Sequence, residues 1–186
     1  MKWLLTTSMG LVFVLGGCSA SQSDNANTMT TFHTATQHQT TTKPISFVDN
    51  LKIHNNTYRL NKVLSYVKTR VGKTWYVFSG VSPIYGWDCS GLVYWTYSKL
   101  GVSLKHSASI EVNAGIKVKT PKVGDIVGFG WKGWNGAQHV GIYLGNGMMI
   151  HAGGARGQKT AIISISKWAK ENGNTKITYT RVLPTA

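Results

Sequence analysis

A cysteine and two histidines carry the chemistry that this sequence can offer. Cys89 stands in the run Gly86-Trp87-Asp88-Cys89-Ser90-Gly91, directly ahead of the apolar stretch Leu92-Val93-Tyr94-Trp95. That placement puts the thiol at the first turn of a helix. Unpaired backbone N–H groups and the positive end of the helix dipole there favour the thiolate, the reactive form. A thiolate still needs a base beside it to act as a nucleophile. His139 and His151 are the candidates, the first as base and the second as the group that orients it.

Their positions can be tested by strand register. In Gln138-His139-Val140-Gly141-Ile142-Tyr143-Leu144 the side chains alternate, so His139, Gly141 and Tyr143 share one face. A three-residue loop Gly145-Asn146-Gly147 would pair Leu144 with Met148 and set Gly141 opposite His151. His139 and His151 then lie on one face as diagonal neighbours. A two-residue loop would send His151 to the other face.

The elements that must hold these residues follow from periodicity. Leu60, Val63, Leu64, Val67 and Val71 recur at helical spacing, with Gly72 as the stop. Residues 77–87 read as loop. A second helix is expected over Cys89–Leu100, largely buried and closed by Gly101, and a short third over Ser107–Ala114. After Pro121 the period changes to two, giving strands over Asp125–Gly130, Gln138–Leu144, Met148–Ala152, Ala161–Ser166 and Lys176–Leu183. Asp125 reads as a structural residue in the turn entering the first of these. Helices first and strands after predict an α+β domain over 46–186, its N-terminal helices packed on a five- to six-stranded antiparallel sheet.

The start of the chain concerns location. Lys2 followed by the apolar stretch 3–17 has the pattern of a secretory signal peptide, too short to remain as a membrane span. Leu15-Gly16-Gly17-Cys18 resembles a bacterial lipobox, which would make Cys18 the lipidation site; the alternative is cleavage after Ala20. Either way the protein is expected to be exported, and with Cys18 lipidated Cys89 has no cysteine to pair with. Residues 18–45, rich in Ser, Thr and Gln, are expected to be a disordered tether, with His33 and His38 as polar filler. One remaining cysteine and scattered histidines make no zinc set, so no metal or cofactor is expected.

The 186 residues carry 20 Lys+Arg against 6 Asp+Glu, a formal charge of +14. Removing residues 1–17 would take Lys2 alone among the charged residues and leave +13. Export turns that charge away from nucleic acid and toward anionic wall polymers or a membrane surface.

Five motifs complete the pattern: Tyr76-Val77-Phe78-Ser79-Gly80, Asp88-Cys89-Ser90-Gly91-Leu92-Val93, Val123-Gly124-Asp125-Ile126-Val127, His139 to Gly145, and Met149-Ile150-His151-Ala152. In order and spacing they resemble the NlpC/P60 cysteine peptidases over about residues 55–186. The resemblance implies a papain-like fold and an enzyme that hydrolyses peptidoglycan stem peptides, at a γ-D-glutamyl–diamino acid bond; a monomer is expected. Cys89 would be the nucleophile, His139 the base and then acid, and His151 the third member. Tyr76 would lie near the oxyanion, and Asp88 and Ser90 would contact substrate; the residues alone leave Asp88 open as a helix cap. The chain departs from the family pattern at Ser79, where Gly is common, at Lys105-His106, where Pro-Arg is common, and at Glu111, where Gln is common. His106 reads as an exposed loop residue. Trp131 and Trp134, in a glycine-rich loop before His139, form either a substrate rim or part of the sheet edge. Rival readings are a wall-binding protein that kept the fold without catalysis, and a thiol amidase or acyltransferase acting elsewhere.

Overall fold

The computed structural model describes residues 46–153 and 158–185. The leader, Cys18 and the Ser/Thr/Gln-rich segment, with His33 and His38, lie outside the described residues. Among those described, no helix is long and apolar enough to cross a membrane.

The first helix, α1, runs over Phe47–Lys68, well upstream of the periodic stripe that announced it. Ser46 caps it, its hydroxyl accepting from the Asp49 N–H. Among its described side chains, those of the last turns face the core, through Leu60, Leu64 and Val67. Within the segment read as loop, Val81–Ser82 (β1) and Gly86–Trp87 (β2) pair as a short hairpin. Helix α2 follows at Cys89–Ser98 and α3 at Ala108–Glu111.

The remaining strands are β3 (Ile116–Lys117), β4 (Ile126–Gly130), β5 (His139–Gly145), β6 (Met148–His151), β7 (Ala161–Ser164) and β8 (Lys176–Arg181). They form one antiparallel sheet of six strands in the order β3-β8-β4-β5-β6-β7. With the helices this is the α+β architecture that the change of period predicts. Besides the short strands β1, β2 and β3, one helix was not anticipated. The run over 161–166 stops as a strand at Ser164, whose hydroxyl caps a fourth helix, α4, at Ile165–Glu171.

Both faces of the sheet are covered. On one, Ile126, Val140, Ile142 and Ile150 meet Leu92 and Val93 of α2 and the end of α1. On the other, Val127, Phe129 and Met149 meet Ile165, Trp168 and Ala169 of α4. Asp125, only 2% exposed, is held by a two-pronged bond from Arg181, at 3.0 and 2.7 Å, and by the Lys122 N–H. That pairing ties the entrance of β4 to the end of β8.

Candidate active site

The β5–β6 connection corrects the expected turn. Gly145 pairs with Met148, so the loop is the two residues Asn146-Gly147, both at positive φ (51° and 69°). This is the backbone that an Asn-Gly hairpin turn requires. Alone it would have put His151 on the wrong face. A bulge between Tyr143 and Gly145 absorbs one residue, however, and restores Tyr143↔Met149 and Ile142↔Ile150. The two effects cancel, and His139 Nε2 lies 3.0 Å from His151 Nδ1.

The pair is enclosed. His139 and His151 are 6% and 2% exposed, and the Trp168 indole stacks on the His139 ring at 4.3 Å and meets the His151 ring edge-on at 4.5 Å. Burial holds the pKa of His139 well below the usual value, and the neighbouring His151 adds to the effect. Burial lowers His151 to about 4, partly offset by a hydrogen bond to the Ala152 backbone. Both rings are therefore neutral at physiological pH.

Cys89 opens α2 and is 9% exposed. The helix start does favour its thiolate, through the Ser90 N–H, but burial outweighs this and pushes the pKa up to about 11, with Asp88 and Glu111 adding to it. Backbone hydrogen bonds from Val140 and Ser90 only partly oppose this. Val140 is the residue after His139, so this hydrogen bond places the sulfur at the start of the strand that carries the histidine. Tyr76 belongs to the same neighbourhood. Its hydroxyl is held above the usual phenol pKa by partial burial first, then by Cys89 and Asp88.

Asp88 is the N-cap of α2 and the joint around which the site is assembled. Its Oδ1 accepts from the Gly91 N–H at 2.7 Å and the Ser90 hydroxyl at 3.1 Å, and its Oδ2 from the Ser79 N–H at 2.8 Å. His106 Nε2 lies 2.8 Å from Oδ1 and completes the set. His106 is thus no free loop residue. Its ring sits in the cleft wall beside Tyr94, at 6.0 Å between centroids. Sequence reasoning missed this contact because 18 residues separate the partners and no periodicity links a loop histidine to a helix cap.

The chain from Gly72 to Lys176 matches the model of the NlpC/P60 family. The chain belongs to that family. The matched segment holds every residue of the site just described. Among relatives, the peptidoglycan endopeptidase RipA of Mycobacterium tuberculosis is 42% identical over 76 residues, 40% of this chain and 15% of RipA. The bifunctional muramidase/DL-endopeptidase CwlT of Bacillus subtilis is 41% identical over 81 residues, 41% of this chain and 24% of CwlT. The chain thus spans less than a quarter of the length of either. Among solved structures, the peptidoglycan hydrolase RipB of Mycobacterium tuberculosis aligns over 69% of this chain and 67% of its own, with TM-score 0.56 and 28% identity. The NlpC/p60 domain of the peptidoglycan hydrolase SagA aligns over 66% of this chain and 98% of its own, with TM-score 0.53 and 26% identity.

In this NlpC/P60 chain the helix start and the loop before it touch at Gly91. A Cβ there would lie 1.9 Å from the Gly80 carbonyl oxygen, a backbone atom that cannot swing aside. Gly91→Ala is expected to cost about 2–3 kcal/mol and lower activity at least tenfold, because the loop it displaces carries Ser79 and hence one bond to Asp88. Thermal denaturation beside a cleavage assay checks this; an unchanged Tm would contradict it.

Proposed function

We propose that the chain is a cysteine endopeptidase that cleaves stem peptides of bacterial peptidoglycan. What supports the proposal is Cys89 at the start of α2, held by the backbone of Val140, the residue after His139, together with the hydrogen-bonded pair His139–His151, in a chain of the NlpC/P60 family. Relatives named as peptidoglycan endopeptidases support the substrate class.

In the productive arrangement His139 donates from Nε2 to His151 Nδ1, and its own Nδ1 lone pair takes the proton of Cys89. With thiol and imidazole both neutral at rest, that transfer accompanies attack of sulfur on the scissile carbonyl. The Cys89 N–H, with the Tyr76 hydroxyl, stabilises the tetrahedral oxyanion. His139 then protonates the leaving amine, and water hydrolyses the thioester. Asp88 and Ser90 hold the helix start. A substrate amine reaching Asp88 would displace a donor already bound there, and His106 is the one contributed from outside the helix and its loop. The bond cut is the γ-D-glutamyl–diamino acid linkage. The protein acts outside the cell as a monomer, lipidated on Cys18, its positive charge concentrating it on anionic wall polymers and headgroups.

The test is to incubate the whole chain with purified muropeptides and identify products by mass spectrometry. Two fragments whose masses sum to the substrate plus one water, separated at the γ-D-glutamyl bond, are expected; intact muropeptides would overturn the proposal. A second readout is the pH profile. A neutral pair works wherever it holds its single transferable proton, so kcat/KM should be flat from about pH 6 to 9, with the alkaline limb set by Cys89 near 11. A pre-formed ion pair would instead bring the alkaline limb down toward the imidazolium range.

A further inference from the structure

Beside His139 lies a second set of side chains that the cleavage chemistry does not use. Trp131 and Trp134 remain 46% and 39% exposed, their rings 5.3 Å apart and 33° from parallel. Trp134 lies over Gly130 at the end of β4 yet stays partly open, and the loop that bears both rings is pinned. Lys176 Nζ bonds the Trp134 carbonyl at 2.6 Å, Asn113 Nδ2 bonds the Asn135 carbonyl at 2.9 Å, and the Lys132 N–H bonds the Thr175 hydroxyl at 2.8 Å. The indole of Trp134 packs flat against the chain, 2.5 Å from where a Cβ on Gly136 would stand. A preorganised aromatic surface loses little entropy when a ligand settles on it.

The same bonds join this loop to the α4–β8 connection, whose Asn172 and Asn174, with Trp168 and with Gln138 and His139 just after the tryptophan loop, line a cavity of ≈ 320 Å³. Three of those five are uncharged amides, and His139 is neutral. Both side-chain amide atoms of Asn174 are buried with no protein partner among the described residues. An orphaned donor and acceptor of this kind costs stability unless a ligand meets it. The chemistry is selective. Amides match hydroxyl and acetamido groups, indole faces match the apolar C–H face of a pyranose ring, and a lining with no charged side chain among the described residues disfavours ionic wall polymers. The volume lies at the lower end of ligand pockets and suits a single ring.

We infer that the Trp131/Trp134 surface and the amide-lined cavity form a carbohydrate subsite that takes an N-acetylated amino sugar of the wall glycan while the attached stem peptide enters at Cys89. This rests on the stem-peptide reading above. The subsite would let the enzyme discriminate glycan-linked peptide from free peptide by affinity, since sugar contacts remote from the reacting bond contribute to KM when they are equal in ground and transition state.

The experiment uses the full chain, wild type beside the Trp131→Ala/Trp134→Ala double variant, Asn174→Ala and Trp134→Phe. Binding of N-acetylglucosamine tetramer, and of glycan chains stripped of stem peptides, is followed by calorimetry. Cleavage is measured on a muropeptide and on the same stem peptide without sugar. Wild type should bind both glycans. The double variant should bind at least tenfold more weakly, Asn174→Ala should show a smaller loss, and Trp134→Phe should recover part of the affinity. KM for the muropeptide should rise at least tenfold in the double variant, and kinetics on free peptide should stay within about twofold. No glycan binding by wild type, or an equal loss on both substrates, would overturn the subsite. If wild type cleaves neither substrate yet binds glycan, the peptidase reading fails and the subsite stands.

Discussion

Cys89→Ala is expected to reduce peptide cleavage at least about 10⁴-fold, to the background of the assay, while leaving the protein folded. The thiol is the atom that forms the acyl-enzyme, and no other described residue at the start of α2 offers a comparable nucleophile. Ser90, its neighbour, donates its hydroxyl to Asp88. His139→Ala should fall to a similar level, because a thiol with its pKa near 11 is inert without a base to take its proton. The double variant should be no worse than either single one, since both disable the same step. His151→Ala should cost less, about 10–100-fold, and His151→Gln should recover part of it by offering an acceptor to His139. Circular dichroism and thermal melts separate lost chemistry from lost fold. Cleavage by Cys89→Ala at more than about 1% of the wild-type rate would dismiss the thiol mechanism.

The parts of this site that could be read in advance were those governed by local period. Alternation along β5 and β6 put His139 and His151 on one face, though the reasoning assumed a three-residue turn. Nature reached the same register with a two-residue turn and a bulge, and alternation cannot tell these apart because each shifts the pairing by one. The cap at Asp88 was visible as one of two readings, because a residue before a helix start is a local feature. What escaped was non-local or set by burial. The contact of His106 with Asp88 depends on how the loop after α2 folds back. Helix α4, hidden in a run that reads as strand, supplies the Trp168 that closes over both histidines. The thiol pKa was misjudged because the helix end acts over one turn and is weaker than the cost of enclosing a charge in a packed core. Position along the chain announces the first effect, and only the fold reveals the second.

Glu111 takes that last point furthest. It is wholly buried at the end of α3, and neither carboxyl oxygen has a hydrogen-bond partner among the described residues. Burial, then the nearby Asp88, pushes its pKa up to about 9 from 4.5, so it is a neutral acid at pH 7. The unfolded chain has released that proton above pH 4.5, and the folded chain keeps it until about 9. Folding must therefore take up a proton, and this group's contribution to stability falls as pH rises between those values. At pH 7 the cost is about 3 kcal/mol. The histidines act in the opposite sense. His151, lowered from 6.5 to about 4, must lose a proton on folding, so its contribution is complete above 6.5 and is lost as pH falls toward 4. His139 adds to it in the same direction. Stability should accordingly peak close to pH 6.5 and fall on both sides. Glu111→Gln keeps the shape and neutrality of the buried acid while removing the proton uptake. It should raise stability at pH 7 by about 3 kcal/mol, seen as a rise of about 10 °C in Tm, and flatten the alkaline side of the curve. Thermal melts of both proteins from pH 4 to 9 decide the matter: parallel curves would mean that Glu111 is ionised in the fold, with a partner for its charge. Diverging curves, widest at high pH, would mean that the wall of the cleft beside Asp88 and Cys89 is held together by a proton.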